Sequence, residues 1–120
     1  MGTTEKFLRE INEAFAKGNS DFITEHVTDN IVWNVVGDCR IKGKKNFRKV
    51  LDEMDVPENM QLDISNILVQ ERTAVVDGYI EVGKKGMKLR RYAFCDIYKL
   101  SALKEPRIEE LVSYVIEIKI

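Results

Sequence analysis

The sequence predicts an α+β fold in which three helices precede a curved, mostly antiparallel sheet and cover one of its faces. Three observations carry this prediction. Apolar residues recur at three- and four-residue spacing through the first half of the chain; from Met60 onward the spacing changes to alternation along extended segments; and the links between those segments are short, which makes neighbours antiparallel. With 120 residues and 44% hydrophobic content the chain reads as one domain, residues 1–120, large enough for a core without staples.

Taken in order, Thr3 or Thr4 can cap a first helix whose stripe is Phe7, Leu8, Ile11, Ala14 and Phe15, and Gly18 stops it. Asn19 or Ser20 caps a second, short helix with Phe22, Ile23 and Val27 as its apolar face and Asp21 at the favourable end of its dipole. His26 reads as a residue that helps to end this helix. Asp29-Asn30 marks a turn, Ile31 to Val36 a strand, Gly37-Asp38 its stop, and Ile41-Lys42-Gly43 a link. A third helix runs from Lys44 to about Met54, with Phe47, Val50, Leu51 and Met54 on one side. Val56-Pro57-Glu58-Asn59 ends the helical half. Four strands follow, Met60 to about Gln70, Thr73 to Val82, Leu89 to Leu100 and Arg107 to Ile120, joined by Glu71-Arg72, Gly83-Lys84-Lys85-Gly86 and the Ser101 to Pro106 loop.

Composition excludes several function classes. Nineteen basic against twenty acidic residues gives a net charge of −1, so no global field draws the chain to nucleic acid or an anionic membrane. The basic run Lys42, Lys44, Lys45, Arg48 and Lys49 reads as the solvated face of the third helix, because Asp52, Glu53 and Asp55 follow it and no glycine-rich loop accompanies it. Cys39 and Cys95 lie far apart without a CxxC or HxxxH companion, which fits reduced thiols in a cytoplasmic protein; no metal or cofactor is expected. The start has no apolar signal core, and no run approaches the roughly 18 apolar residues of a membrane span.

Asp96 is the residue that most needs explaining. On the strand Leu89 to Leu100, alternation puts Tyr92, Phe94, Asp96 and Tyr98 on one face, one acid in an aromatic row. Such an acid is either solvated at a sheet edge or held in a pocket where burial raises its pKa. Asn34 is a second polar residue among hydrophobes, opposite in parity to Ile31, Trp33 and Val35. On the segment Thr73 to Val82, Asp77, Tyr79 and Glu81 separate from Val76, Gly78, Ile80 and Val82; the polar face is either solvated or part of a pocket with Asn34 and Asp96. The last strand is apolar on both faces, with Val112, Tyr114, Ile116 and Ile118 on one and Leu111 and Val115 on the other, so its outer face is expected to meet a second subunit.

The whole chain resembles the nuclear-transport-factor-2-like superfamily, specifically its SnoaL-like and ketosteroid-isomerase-like branch. The likeness rests on Ala16-Lys17-Gly18-Asn19, on Val27-Thr28-Asp29-Asn30-Ile31-Val32-Trp33, on Ile41-Lys42-Gly43, and on Arg107-Ile108 with Tyr114. It implies a cone-shaped sheet, a pocket for a small hydrophobic molecule and a sheet-to-sheet homodimer. Residue by residue, the ketosteroid isomerase's later Asp corresponds to Asp96, its base position falls on Asn34 and its tyrosine position falls near Ile11. Against limonene-epoxide-hydrolase-like members, Asn34 keeps its type, Val32 replaces a tyrosine, Tyr79 and Glu81 fall near an Arg and an Asp, and Ile116 stands where an acid would. Two readings follow. In one, the chain is an isomerase, cyclase or hydrolase with Asp96 and Asn34 as catalytic residues and Tyr79, Glu81, Tyr92 and Phe94 on the substrate. In the other it is a non-catalytic dimeric ligand-binding or interaction module.

Overall fold

The computed structural model describes residues 2–54, 59–83, 86 and 88–119. Its elements are α1 (Thr3–Lys17), α2 (Ser20–Glu25), β1 (Val27–Val35), β2 (Cys39–Lys42), α3 (Lys44–Glu53), β3 (Met60–Gln70), β4 (Thr73–Val82), β5 (Arg90–Leu100) and β6 (Ile108–Ile118). The stripe of α1 is buried at Phe7, Leu8, Ile11 and Ala14, and the helix closes where Gly18 turns to φ 70°, a conformation that costs glycine little. The start of α1 differs from expectation. Thr3 is already helical behind Gly2, and no side chain caps the helix. Asn19 caps α2, its Oδ1 accepting from the Phe22 N–H at 3.2 Å.

One six-stranded sheet has the order β2-β1-β6-β5-β4-β3. All pairs are antiparallel except β1 with β6, which run parallel. The fold is therefore the expected α+β arrangement with a mixed curved sheet. Two segments differ from the sequence reading. Cys39 to Lys42 is a strand rather than part of a link; only Ile41 of its four residues is buried, so it carries no alternation to read. β1 begins at Val27 and includes Asp29-Asn30, because the irregular pairing with β6 between Val27 and Val32 leaves those polar residues exposed within the strand. The breaker expected at 56–59 and the turn expected at 83–86 rest mainly on Val56, Pro57, Glu58, Lys84 and Lys85, which lie outside the described residues.

Helix and strand lengths create a hollow. The 11 residues of β5 extend about 36 Å, whereas the 15 of α1 extend about 22 Å, so the helices cover only part of the strands. Where they do, the inner face is solid core: Ala74 and Val76 of β4, Tyr98 and Leu100 of β5, and Ile108 and Leu111 of β6 pack with Leu8, Ile11, Ile23 and Phe47. Curvature is reinforced on the far side by a bulge in β3, where Ile64 pairs with Gly78 and Asn66 with Asp77, leaving Ser65 over. Among the described residues no helix is long and apolar enough to cross a membrane.

Candidate functional site

Beyond the end of the core the same inward rows continue into a cavity of about 350 Å³. Its walls are mostly apolar: Phe15 and Ala16 of α1, Trp33 and Val35 of β1, Val50 of α3, Leu62 of β3, Ile80 of β4, Phe94 of β5 and Leu111 of β6. Asp38, Cys39, Ile41, Met54, Met60 and Val115 complete the lining, and Val115 is 55% exposed, which places the mouth on this side. Three polar groups line the interior: Asn12, Asp96 and Ser113.

Asp96 sits between Phe94 and Tyr98 on the inward row of β5 and pairs in register with Ser113 of β6. Loss of water pushes its carboxyl from 3.8 up to about 6, and a hydrogen bond from Ser113 opposes that rise. An ionised carboxylate can only accept, so the serine gives its proton to Asp96, while the Trp33 Nε1–H donates to Ser113 Oγ at 3.0 Å and holds the hydroxyl in place. Below Asp96, the Tyr98 hydroxyl receives the Asn12 Nδ2–H at 3.2 Å, and Asn12 gives its other amide proton to the Leu8 carbonyl at 2.8 Å. Burial, then the Asp96 charge, holds Tyr98 well above its ordinary range, with the Asn12 bond acting the other way. Tyr98 is a neutral floor beneath the acid.

This arrangement can hold a proton near neutrality and exchange it with a molecule in an apolar enclosure. Phe94 and Asp96 lie together in the wall. Tyr92 shares their face of β5 but lies one step beyond the lining. Asn34 does not join them: Trp33 and Val35 face the cavity, so the alternation of β1 sends Asn34 to the outer face. Tyr79 and Glu81 are likewise outside, because Ile80 takes the inward position; the Arg91 guanidinium stacks 4.5 Å from the Tyr79 ring centre and its Nε lies 3.6 Å from Glu81. Their polar face is therefore the outer one and is half-buried, with Asp77 accepting from Asn66 across the strands. Sequence reasoning missed Asn12 and Ser113. Their signal was present: Asn12 interrupts the apolar spacing of Leu8 and Phe15, and Ser113 interrupts that of Leu111 and Val115. Among the described residues no group of His, Cys, Asp or Glu is placed to hold a metal ion.

A family model described as a SnoaL-like domain matches residues 8–109. Among solved structures, an NTF2-like protein of unknown function from Cytophaga hutchinsonii is 26% identical, with a TM-score of 0.75 over 97% of this chain and 99% of that one. An LEH-like epoxide hydrolase from M. tuberculosis is 17% identical, with a TM-score of 0.70 over 87% and 75%. SalBIII, an epoxide hydrolase/cyclase-like enzyme of pyran ring formation in salinomycin, is 15% identical, with a TM-score of 0.76 over 94% and 90%. The last two likenesses carry the fold alone. No curated protein matches the sequence.

Proposed function

The chain belongs to the SnoaL-like domain family, and from that premise we propose that it binds a small hydrophobic molecule in the cavity and moves a proton there with Asp96. The observation that carries this reading is a single carboxyl in the apolar wall of the cavity, in register with the buried Ser113, where loss of water raises it toward neutrality. In its ionised form Asp96 takes a proton from a carbon beside a carbonyl group of the ligand; the neutral acid then returns it to another atom of the resulting enolate. That sequence describes an isomerase, or a cyclase if the enolate first closes a ring. Hydrolysis is less well supported, since Asn34 lies outside the cavity and brings no amide to orient a water. A non-catalytic binding module is the second reading, favoured by the position of the other lining carboxylate, Asp38, which is exposed at the mouth.

A fragment screen by thermal shift tests the cavity. Neutral apolar ketones should stabilise the wild type and fail to stabilise Ala16→Phe, which puts a ring into the lining. Equal stabilisation of both proteins would place binding elsewhere and overturn the proposal.

The outer sheet face supports a homodimer. Tyr114 and Ile116 of β6 are 46% and 68% exposed, beside Val36 at 44%. Sedimentation at micromolar concentration should give a dimer for the wild type and a monomer for Ile116→Glu; a monomeric wild type would sink the assembly. The two free cysteines, Cys39 exposed and Cys95 half-buried, support a reducing compartment such as the cytoplasm.

A further inference from the structure

The charges and rings around the cavity are one-sided. Two carboxylates line it, Asp96 in the wall and Asp38 at the mouth, and no Lys, Arg or His is among the described lining residues. Three aromatic side chains, Phe15, Trp33 and Phe94, share the enclosure, and the first two meet at a tilt of 57° with centroids 5.7 Å apart. An aromatic ring carries negative charge on its face and attracts a cation held against it, most strongly where water is excluded. Ser113 supplies one hydroxyl to Asp96, and a carboxylate has room for more donors than one. The remaining polar interior group adds another acceptor. Asn12 spends both amide protons inside the protein, on Leu8 and Tyr98, so only its Oδ1 is left for the cavity it lines.

We propose that the cavity's ligand is a cation, an apolar body bearing an amine or quaternary ammonium group, held by the two carboxylates and the aromatic wall. This inference rests on the cavity being the ligand site and adds the chemical class of what enters it. A ligand that is anionic when it enters is disfavoured, because among the described lining residues there is no positive charge and neither Asn12 nor Trp33 has an unspent donor; the enolate of the proton transfer differs, since it forms only beside the neutral Asp96 acid, which can donate to it. Asp38 draws the cation to the mouth, while Asp96 and the rings hold it once water has been displaced.

Three compact cages of one shape and different charge test the proposal: adamantylamine, adamantanol and adamantane carboxylate. Binding is followed by the fluorescence of Trp33, the chain's only tryptophan and a lining residue, and checked by calorimetry at about pH 8, where Asp96 is ionised. The amine should bind about tenfold or more tightly than the alcohol, and the carboxylate more weakly than either. Asp96→Asn should remove most of the amine's advantage, and Asp38→Asn at the exposed mouth should reduce it about threefold, each leaving the alcohol's affinity nearly unchanged. Binding of the alcohol with no preference for the amine would overturn the cation assignment and leave the cavity reading standing. Tighter binding of the carboxylate would overturn it outright, and binding of none of the three would remove both.

Discussion

Asp96→Asn is expected to abolish proton transfer and, at neutral pH, to make the protein more stable. An amide cannot take a proton at this pH, so the loss in rate should be about a hundredfold to ten-thousandfold. A direct readout is deuterium exchange by NMR at the carbon beside the carbonyl of a ketone bound in the cavity; unchanged exchange in the variant would remove Asp96 from the chemistry. The stability effect follows from linkage. Folding raises this carboxyl from 3.8 to about 6, so the native state holds the proton more tightly than the unfolded chain does. Its contribution is fully present below 3.8 and is lost as the pH rises through about 6. The full difference corresponds to about 3 kcal/mol, which the asparagine, neutral at every pH, does not lose. Urea unfolding from about pH 3 to pH 8 should therefore show the wild type declining against the variant across that window. A constant difference between the two curves would mean that the carboxyl is not desolvated in the folded protein.

Gly78→Ala is expected to cost about 3 kcal/mol and to lower the melting temperature by roughly 10 °C. A Cβ added at Gly78 would overlap the carbonyl oxygen of Asp63 and lie 3.0 Å from both the Asp63 carbonyl carbon and the Ile64 Cα. All three are backbone atoms of β3, so no side chain can rotate away; the hairpin itself would have to open at its bulge. Gly2→Ala is the control, since nothing lies within 4 Å of a Cβ there, and it should change stability by less than about 0.5 kcal/mol. A thermal melt of Gly78→Ala equal to wild type would show that β3 and β4 can separate freely at this point.

Much of the architecture was legible because it rests on period and punctuation. The α1 stripe, the Gly18 stop, the Asn19 cap and the β3 to β6 strands each leave a repeating pattern or a turn residue in the chain. β2 leaves none, being four residues with one buried. In the candidate site, Asp96 was legible because a single charge in an aromatic row violates its surroundings. Asn34 violates its surroundings in the same way and yet faces outward. On β1 both rows are apolar, one turned to the cavity and one to the outer face, so parity alone cannot say which row is inside. Asn12 and Ser113 were overlooked for the converse reason. Each is a small polar residue on an apolar face, ordinary until its partners from other elements are known.

The bond from Trp33 to Ser113 joins residues 80 positions apart, and β1 meets β6 side by side in the parallel sense. A chain leaving the ribosome carries its acid on β5 before the serine that orients it exists, and the tryptophan waits longer than either for its acceptor. The cost of closing a loop grows only slowly with its length, so what this separation fixes is an order of synthesis: the bond from Trp33 cannot form before Ser113 has been made. The candidate site is therefore incomplete until β6 has joined the sheet.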